Sequence, residues 1–349
     1  MESQKPSSKP VTIRQLANLA GVSRTTVSLA LRNHPVLPAQ TRERIQKLAR
    51  QYNYNPDSLV STLMTRIRTN RQKRVSEKLA LLTFWDTRDG WRSNPNDRRY
   101  FLGATQRAEE LGYEIEHFWA KEPRLSDLRL SKILYTRAIQ GIVLLPVPFP
   151  VPSSLTDFDW DKFSVVSIAF ALENPCLNSV MHEHFNGMRR CMRALRQRGY
   201  RRIGFANLTR QNGGVGERWL AAYWLEQHLS GQAQLQPYLE EKWNLDSFAA
   251  WLQKQRPDVI ISNFTTPLEF LRKLNISVPD KIAFASLDLA DEQFTHSGIN
   301  QQPEQIGRVA IDFLISQLHH NKYGIPRNAE YLEIEGIWQD GDTTRKSSV

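Results

Sequence analysis

Twenty residues near the amino terminus, Thr12 to Leu31, TIRQLANLAGVSRTTVSLAL, restrict the possible folds more than any other part of the chain. Thr12 is a good N-cap and Gln15 stands three residues on, the spacing of a capping box, so a helix is expected from Ile13. Ile13, Leu16, Ala17, Leu19 and Ala20 recur at helical spacing and make one apolar face. Gly21 is the residue type that ends a helix in the left-handed conformation. Ser23 then caps a second helix, Arg24 to Leu31, in which Val27, Ala30 and Leu31 turn inward and Arg24, Thr25, Thr26 and Ser28 turn outward. Ala17 is small where the helices meet, and Val22 fills the corner.

Two short helices at a tight turn form a helix-turn-helix. Such a unit either packs as a hairpin inside a larger core or lays its second helix in the major groove of DNA. Charge separates these alternatives. The 349 residues carry a net charge of +10, yet residues 1–78 hold 15 Lys and Arg against 4 Asp and Glu, and residues 79–349 hold 31 against 32. An excess confined to one end, beside such a motif, is the footprint of a polyanion binder, so double-stranded DNA is the expected partner.

A third helix is expected from Ala39 to Tyr52, with Ile45, Leu48, Ala49 and Tyr52 covering the first two. Asn53 ends it. Ser58 to Met64 is a short amphipathic segment with too little apolar surface to be helical alone, and Thr65 to Lys78 is a basic linker. From Leu79 strands and helices alternate, and the phrase helix, Gly-Tyr, strand occurs twice, at Gly112-Tyr113 and Gly199-Tyr200. That pattern predicts two related α/β units with parallel sheets, whose ligands bind beyond the carboxyl ends of the strands.

Other classes find little support. Cys176 and Cys191 make no disulfide framework, which fits a reducing cytoplasm. No run is apolar enough for a membrane partner, and residues 1–10 lack a signal-peptide core. His182 and His184 flank Glu183 without a third ligand, Cys191 has no placed base, and no phosphate-binding glycine signature occurs. Neither a catalytic set, a metal nor a cofactor is expected.

The run VTIRQLANLAGVSRTTVSLALRNHPVLPAQTRERIQKLARQYNYNPDSLVSTL resembles the DNA-binding headpiece of the lactose-repressor (LacI/GalR) family. Looser matching phrases continue through Gly199-Tyr200-Arg201-Arg202-Ile203-Gly204-Phe205, Val278-Pro279-Asp280 and Gln302-Pro303. The resemblance implies an all-α helix-turn-helix headpiece (residues 1–57), a hinge helix and linker (58–78), and a two-lobed periplasmic-binding-protein-like core (79–349). The N-lobe is expected at about 79–175 plus 299–325, the C-lobe at about 176–298 plus 326–349. It implies DNA contacts from Thr12, Ser23, Arg24, Thr25, Thr26, Ser28, Leu29, Arg32, Asn33, Tyr54 and Leu63, with Leu63 as a minor-groove wedge. Arg24 suits bidentate pairing with guanine or a phosphate contact, and Thr25 a thymine methyl. Leu29, Arg32 and Pro38 depart from the family pattern, so the operator sequence is not implied.

Three ligand positions of the family fall at Arg218, Asn263 and Asp288, a fork suited to hydroxyl-rich molecules. Trp85 and Trp91 are the candidate stacking aromatics. Phe264 follows Asn263 where the family commonly has Asp, and Glu183 replaces another frequent Asp, so the ligand is not a standard hexose by implication. The expected protein is a cytoplasmic, nucleoid-associated homodimeric repressor of a pseudo-palindromic operator, switched by a small-molecule effector. A ligand-independent binder with a degenerate cleft and a DNA-tethered enzyme are the alternatives. The tail Gly341 to Val349 lacks leucine heptads, so no terminal coiled coil is expected.

Overall fold

The computed structural model describes residues 11, 13–31, 33–52, 54, 77–146, 155–169, 172, 174–231, 234–289 and 295–346. The amino-terminal unit is three helices, α1 (Ile13–Ala20), α2 (Arg24–Leu31) and α3 (Ala39–Gln51). Leu16, Ala17, Ala20, Val27, Ala30, Ile45 and Ala49 form its core. Complete burial of residues such as Leu16, Val27 and Ile45 stabilises the unit by about 1.5–3 kcal/mol each. Leu19 and Tyr52, expected inside, are exposed, because among the described residues nothing packs over that face of the three short helices.

The remainder is two α/β lobes. The first sheet contains β1 (Glu77–Thr83), β2 (Tyr113–Trp119), β3 (Gly141–Leu144), β4 (Ser164–Ile168), β5 (Asn178–His182) and β11 (Tyr331–Ile334), in the order β2-β1-β3-β4-β5-β11. All its pairings are parallel. The second contains β6 (Ile203–Leu208), β7 (Tyr238–Glu240), β8 (Val259–Ser262), β9 (Ala283–Ser286), β10 (Ser297–Asn300) and β12 (Ile337–Gln339), in the order β7-β6-β8-β9-β10-β12. Only β12 runs antiparallel, beside β10. β3, β4 and β8, and β1 from Leu79 on, read as nearly unbroken apolar or small runs because helices cover both faces.

The chain passes between lobes after His182, after Asn300 and after Ile334. The expected lobe boundaries at 175/176, 298/299 and 325/326 therefore fall two to nine residues early. Ladder pairing decides this: β5 bonds to β4, and β11 adds to β5 with Tyr331 opposite Ser179. Periodicity in a short apolar run does not reveal which sheet it joins.

On the first lobe, α4 (Pro95–Glu110) packs along α11 (Pro303–His319). The helices touch backbone to backbone at two glycines. A Cβ on Gly103 would lie 2.0 Å from the Glu304 carbonyl oxygen, and one on Gly307 would lie 2.2 Å from that of Tyr100. This close crossing fixes the amino-terminal turn of α4, which faces the second lobe.

Candidate DNA-reading surface and interlobe cleft

The headpiece is built from local hydrogen bonds. Gly21 has φ +66°. Its N–H donates to the Asn18 carbonyl at 3.2 Å and that of Val22 to the Ala17 carbonyl at 3.1 Å, closing α1 as a Schellman motif. Ser23 Oγ accepts from the Thr26 N–H at 3.1 Å and so starts α2 at the next residue, Arg24. At the other end Asn33 takes the left-handed position, φ 55°, and the His34 N–H reaches back to the Leu29 carbonyl at 2.9 Å. α3 then clamps this end: Gln46 Nε2 donates to the Ala30 carbonyl at 2.9 Å and Arg42 Nη1 to the His34 carbonyl at 3.2 Å.

The result is a rigid α2 whose first residues face water. Arg24, Thr25, Ser23 and Asn33 are exposed, while Thr26, Ser28 and Leu29 are half-buried. Tyr54 is half-buried against the headpiece core, and its N–H donates to the Ala49 carbonyl at 2.9 Å. Ser23 and Asn33 therefore also shape the helix ends. Thr12, Arg32 and Leu63, with the hinge segment from Ser58 to Met64, lie outside the described residues.

The cleft is made by strand ends. α4 begins after the β1 loop because Asn94 caps it: the Asn94 Oδ1 accepts from the N–H groups of Asn96 at 2.9 Å and Asp97 at 3.2 Å, and Pro95 occupies the first turn. From this turn Asn96 reaches the opposite lobe, donating through Nδ2 to both carboxylate oxygens of Asp288 at 2.8 and 2.9 Å. Asp288 follows β9 and is held there by its N–H on Ser286 Oγ at 3.1 Å. Trp85 donates its indole N–H to Asp97 Oδ2 at 2.9 Å. Arg99 makes a two-pronged pair with Glu304, 2.8 Å on each arm.

Burial dominates the electrostatics here. Asp97 is 2% exposed. Desolvation pushes its carboxyl up to about 7, with the Trp85 hydrogen bond opposing and the Asp288 charge adding. Desolvation also raises Asp288, against the Asn96 hydrogen bond and the Arg99 charge. The Tyr100 hydroxyl is pushed up by burial and then by both carboxylates, and stays neutral.

The other expected residues divide. Trp91 is 2% exposed, tilted against Phe101 at 4.7 Å and edge-on to His117 at 5.6 Å, so it is a core residue of the first lobe and presents no ring to a ligand. Arg218 opens α8 (Arg218–Ser230), its Nη1 on Glu333 and 3.7 Å from the Met181 sulfur, so it spans the lobes at the β5–β11 edge. Asn263 follows β8 with its Oδ1 buried and without a partner. Trp85, Asp288 and the unforeseen Asn96 and Asp97 thus form one cluster; Arg218 stands on a separate ion pair. Sequence reasoning singled out neither Asn96 nor Asp97, although Asn94-Pro95 is a helix-start signature. It also missed Trp243, which follows β7, stacks on Tyr238 at 5.8 Å and meets Phe264 edge-on at 5.8 Å beside Asn263.

His182 and His184 sit where the chain first crosses between lobes, rings 5.1 Å apart. The His182 Nδ1 lies 3.1 Å from the Ile334 carbonyl, and burial drives its imidazole down to about 4. Burial likewise holds His184 well below the usual range and pushes the Cys191 thiol up. Among the described residues no three His, Cys, Asp or Glu side chains converge as a metal site, and no helix is long and apolar enough to cross a membrane.

Residues 12–57 match the model of bacterial regulatory proteins of the lacI family, and residues 192–331 match that of the periplasmic binding protein-like domain. Residues 12–57 thus carry a lacI-family helix-turn-helix domain, and residues 192–331 a periplasmic-binding-protein-like domain. It is 26% identical over 136 residues to the HTH-type transcriptional regulator MalR of Streptococcus pneumoniae, a match spanning 39% of this chain and 39% of the relative. Over 56 residues it is 43% identical to the HTH-type transcriptional regulator AglR of Rhizobium meliloti, 16% of each chain. The chain thus covers well under half the length of these relatives. In architecture it is similar to the transcriptional regulator CelR–cellobiose complex (TM-score 0.57, 19% identity, covering 95% of this chain and 99% of that one). It is likewise similar to the lac repressor dimer bound to operator and the anti-inducer ONPF (TM-score 0.54, 17% identity, covering 96% and 99%). At such identities the likeness is one of fold. The lacI family consists of DNA-binding transcriptional regulators.

Proposed function

We propose that this chain is a sequence-specific DNA-binding regulator, a homodimeric repressor acting in the cytoplasm at a pseudo-palindromic operator, and that a small molecule bound between the lobes switches it. One observation carries the DNA reading: Arg24 and Thr25 stand exposed at the amino-terminal turn of a second helix fixed by Ser23 at its start and by α3 at its end. That is the turn which meets base edges when such a helix enters the major groove. One short helix reads few bases, so two headpieces and two half-sites are needed for specificity. The lobe contact through Asn96 and Asp288 supports a ligand-responsive cleft, because a molecule that displaces it shifts the balance of lobe arrangements.

Selection of genomic fragments by the purified full chain at physiological salt tests this reading. A palindromic motif is expected, Arg24→Ala should relax preference at one base position, and Leu63→Ser should weaken operator binding far more than non-specific binding. Salt-sensitive binding without sequence preference overturns it.

A further inference from the structure

The cleft cluster has more acceptors and negative charge than its own residues satisfy. Asp97 and Asp288 converge from opposite lobes through Asn96, which is 9% exposed. The Asn96 Oδ1 is itself buried and without a partner, a third acceptor in the same place. The nearby cations are committed, Arg99 to Glu304 and Arg218 to Glu333. Each pair holds its arginine, so among the described residues no cation is ion-paired with Asp97 or Asp288.

We infer that the effector is a polyhydroxylated molecule bearing a protonated amine, its ammonium held by Asp97, Asp288 and the Asn96 Oδ1. This rests on the effector reading above and names the ligand class. An ammonium offers three N–H donors and one positive charge to three acceptors. A neutral sugar brings no cation to the two carboxyls, and a sugar acid adds a further negative charge to a desolvated site. Two buried atoms without partners suit hydroxyls of the same ligand: Arg99 Nη1 as donor and Asn263 Oδ1 as acceptor, on opposite lobes. Binding is coupled to protonation, because a carboxyl raised to about 7 must give up its proton to hold the ammonium. The groups acting on Asp97 are Trp85 and Asp288, with Tyr100 buried beside both carboxylates and Arg99 and Glu304 behind them.

Calorimetric titration and thermal shift of the full chain test this, comparing glucosamine with glucose and galactosamine with galactose, with N-acetylglucosamine and glucuronate as neutral-amide and acidic controls, at pH 6, 7 and 8. An amine-bearing member is expected to bind at least about tenfold tighter than its neutral counterpart near pH 7.5. Its affinity should fall up to about tenfold per pH unit below pH 7 as Asp97 takes up its proton. Asp97→Asn, close in shape to the protonated carboxyl, should remove this acid limb and the amine preference; Asp288→Asn, on the other lobe, should weaken the preference without removing the acid limb. Equal or tighter binding of the neutral sugars overturns the inference and leaves the effector reading standing. No stabilisation by any member of the panel removes the effector reading and the inference with it.

Discussion

The headpiece and the cleft solve the problem of placing functional groups in opposite ways. Hydrogen bonds that hold α2 span at most sixteen residues, as in Gln46 to Ala30, and most span five or fewer. Contacts that build the cleft join residues separated by 192 positions, Asn96 to Asp288, and by 205, Arg99 to Glu304. The headpiece displays polar groups to water on a self-sufficient scaffold. The cleft withdraws carboxylates from water and relies on two independently folded sheets to bring them together. Local chemistry suffices for a surface that reads a regular polymer, whereas a site enclosing a small molecule needs long-range closure.

That contrast can be broken experimentally, beginning with the largest effect. Leu16→Ala empties the headpiece core and should cost about 2–5 kcal/mol. If the units are independent, calorimetry will show the headpiece transition collapse while the core transition stays; a matching shift in both would join them into one cooperative unit. Gly307→Ala drives a methyl into the Tyr100 carbonyl and should cost about 1–3 kcal/mol in the core by urea unfolding, with operator-sequence preference intact.

Acidity sharpens the comparison further. Asp97 ionises near pH 4 when unfolded but near 7 when folded, so its protonated form stabilises the core at low pH and that contribution is lost as pH rises from about 4 to 7. The slope is at most about 1.4 kcal/mol per pH unit. Asp97→Asn should flatten it in pH-dependent unfolding. His182 works in the opposite sense, its contribution present above its ordinary 6.5 and lost as pH falls through about 4. The smallest change is Ser23→Ala, which removes one cap bond and should lower headpiece stability by about 1 kcal/mol, read by helix circular dichroism on heating.

Legibility followed the same division. Gly21, Ser23 and the apolar spacing of α1 and α2 placed the helix-turn-helix within a residue of its observed ends, since caps and periodicity act over a few positions. Leu19 and Tyr52 misled because their exposure depends on how many helices gather, a tertiary matter. In the core the alternation of strands and helices was readable, but the short strands Asn178–His182 and Tyr331–Ile334 were not assignable to a lobe before their ladders were known. Trp85 and Asp288 were singled out without any means of knowing that Asn96 and Asp97 lay between them. Trp91 looked equivalent to Trp85 in composition and loop position; only packing against Phe101 and His117 tells them apart.

By itself the sequence determined the helix-turn-helix, the basic end that accompanies it and the α/β texture of the rest, because each arises from capping, charge and periodicity within a few turns of chain. The tertiary structure alone decided where the lobes divide, that Arg218 is spent on Glu333, and that two carboxylates and an amide from distant segments meet in one desolvated place. Burial and closure between sheets are properties of the assembled fold, and no short stretch of residues encodes them.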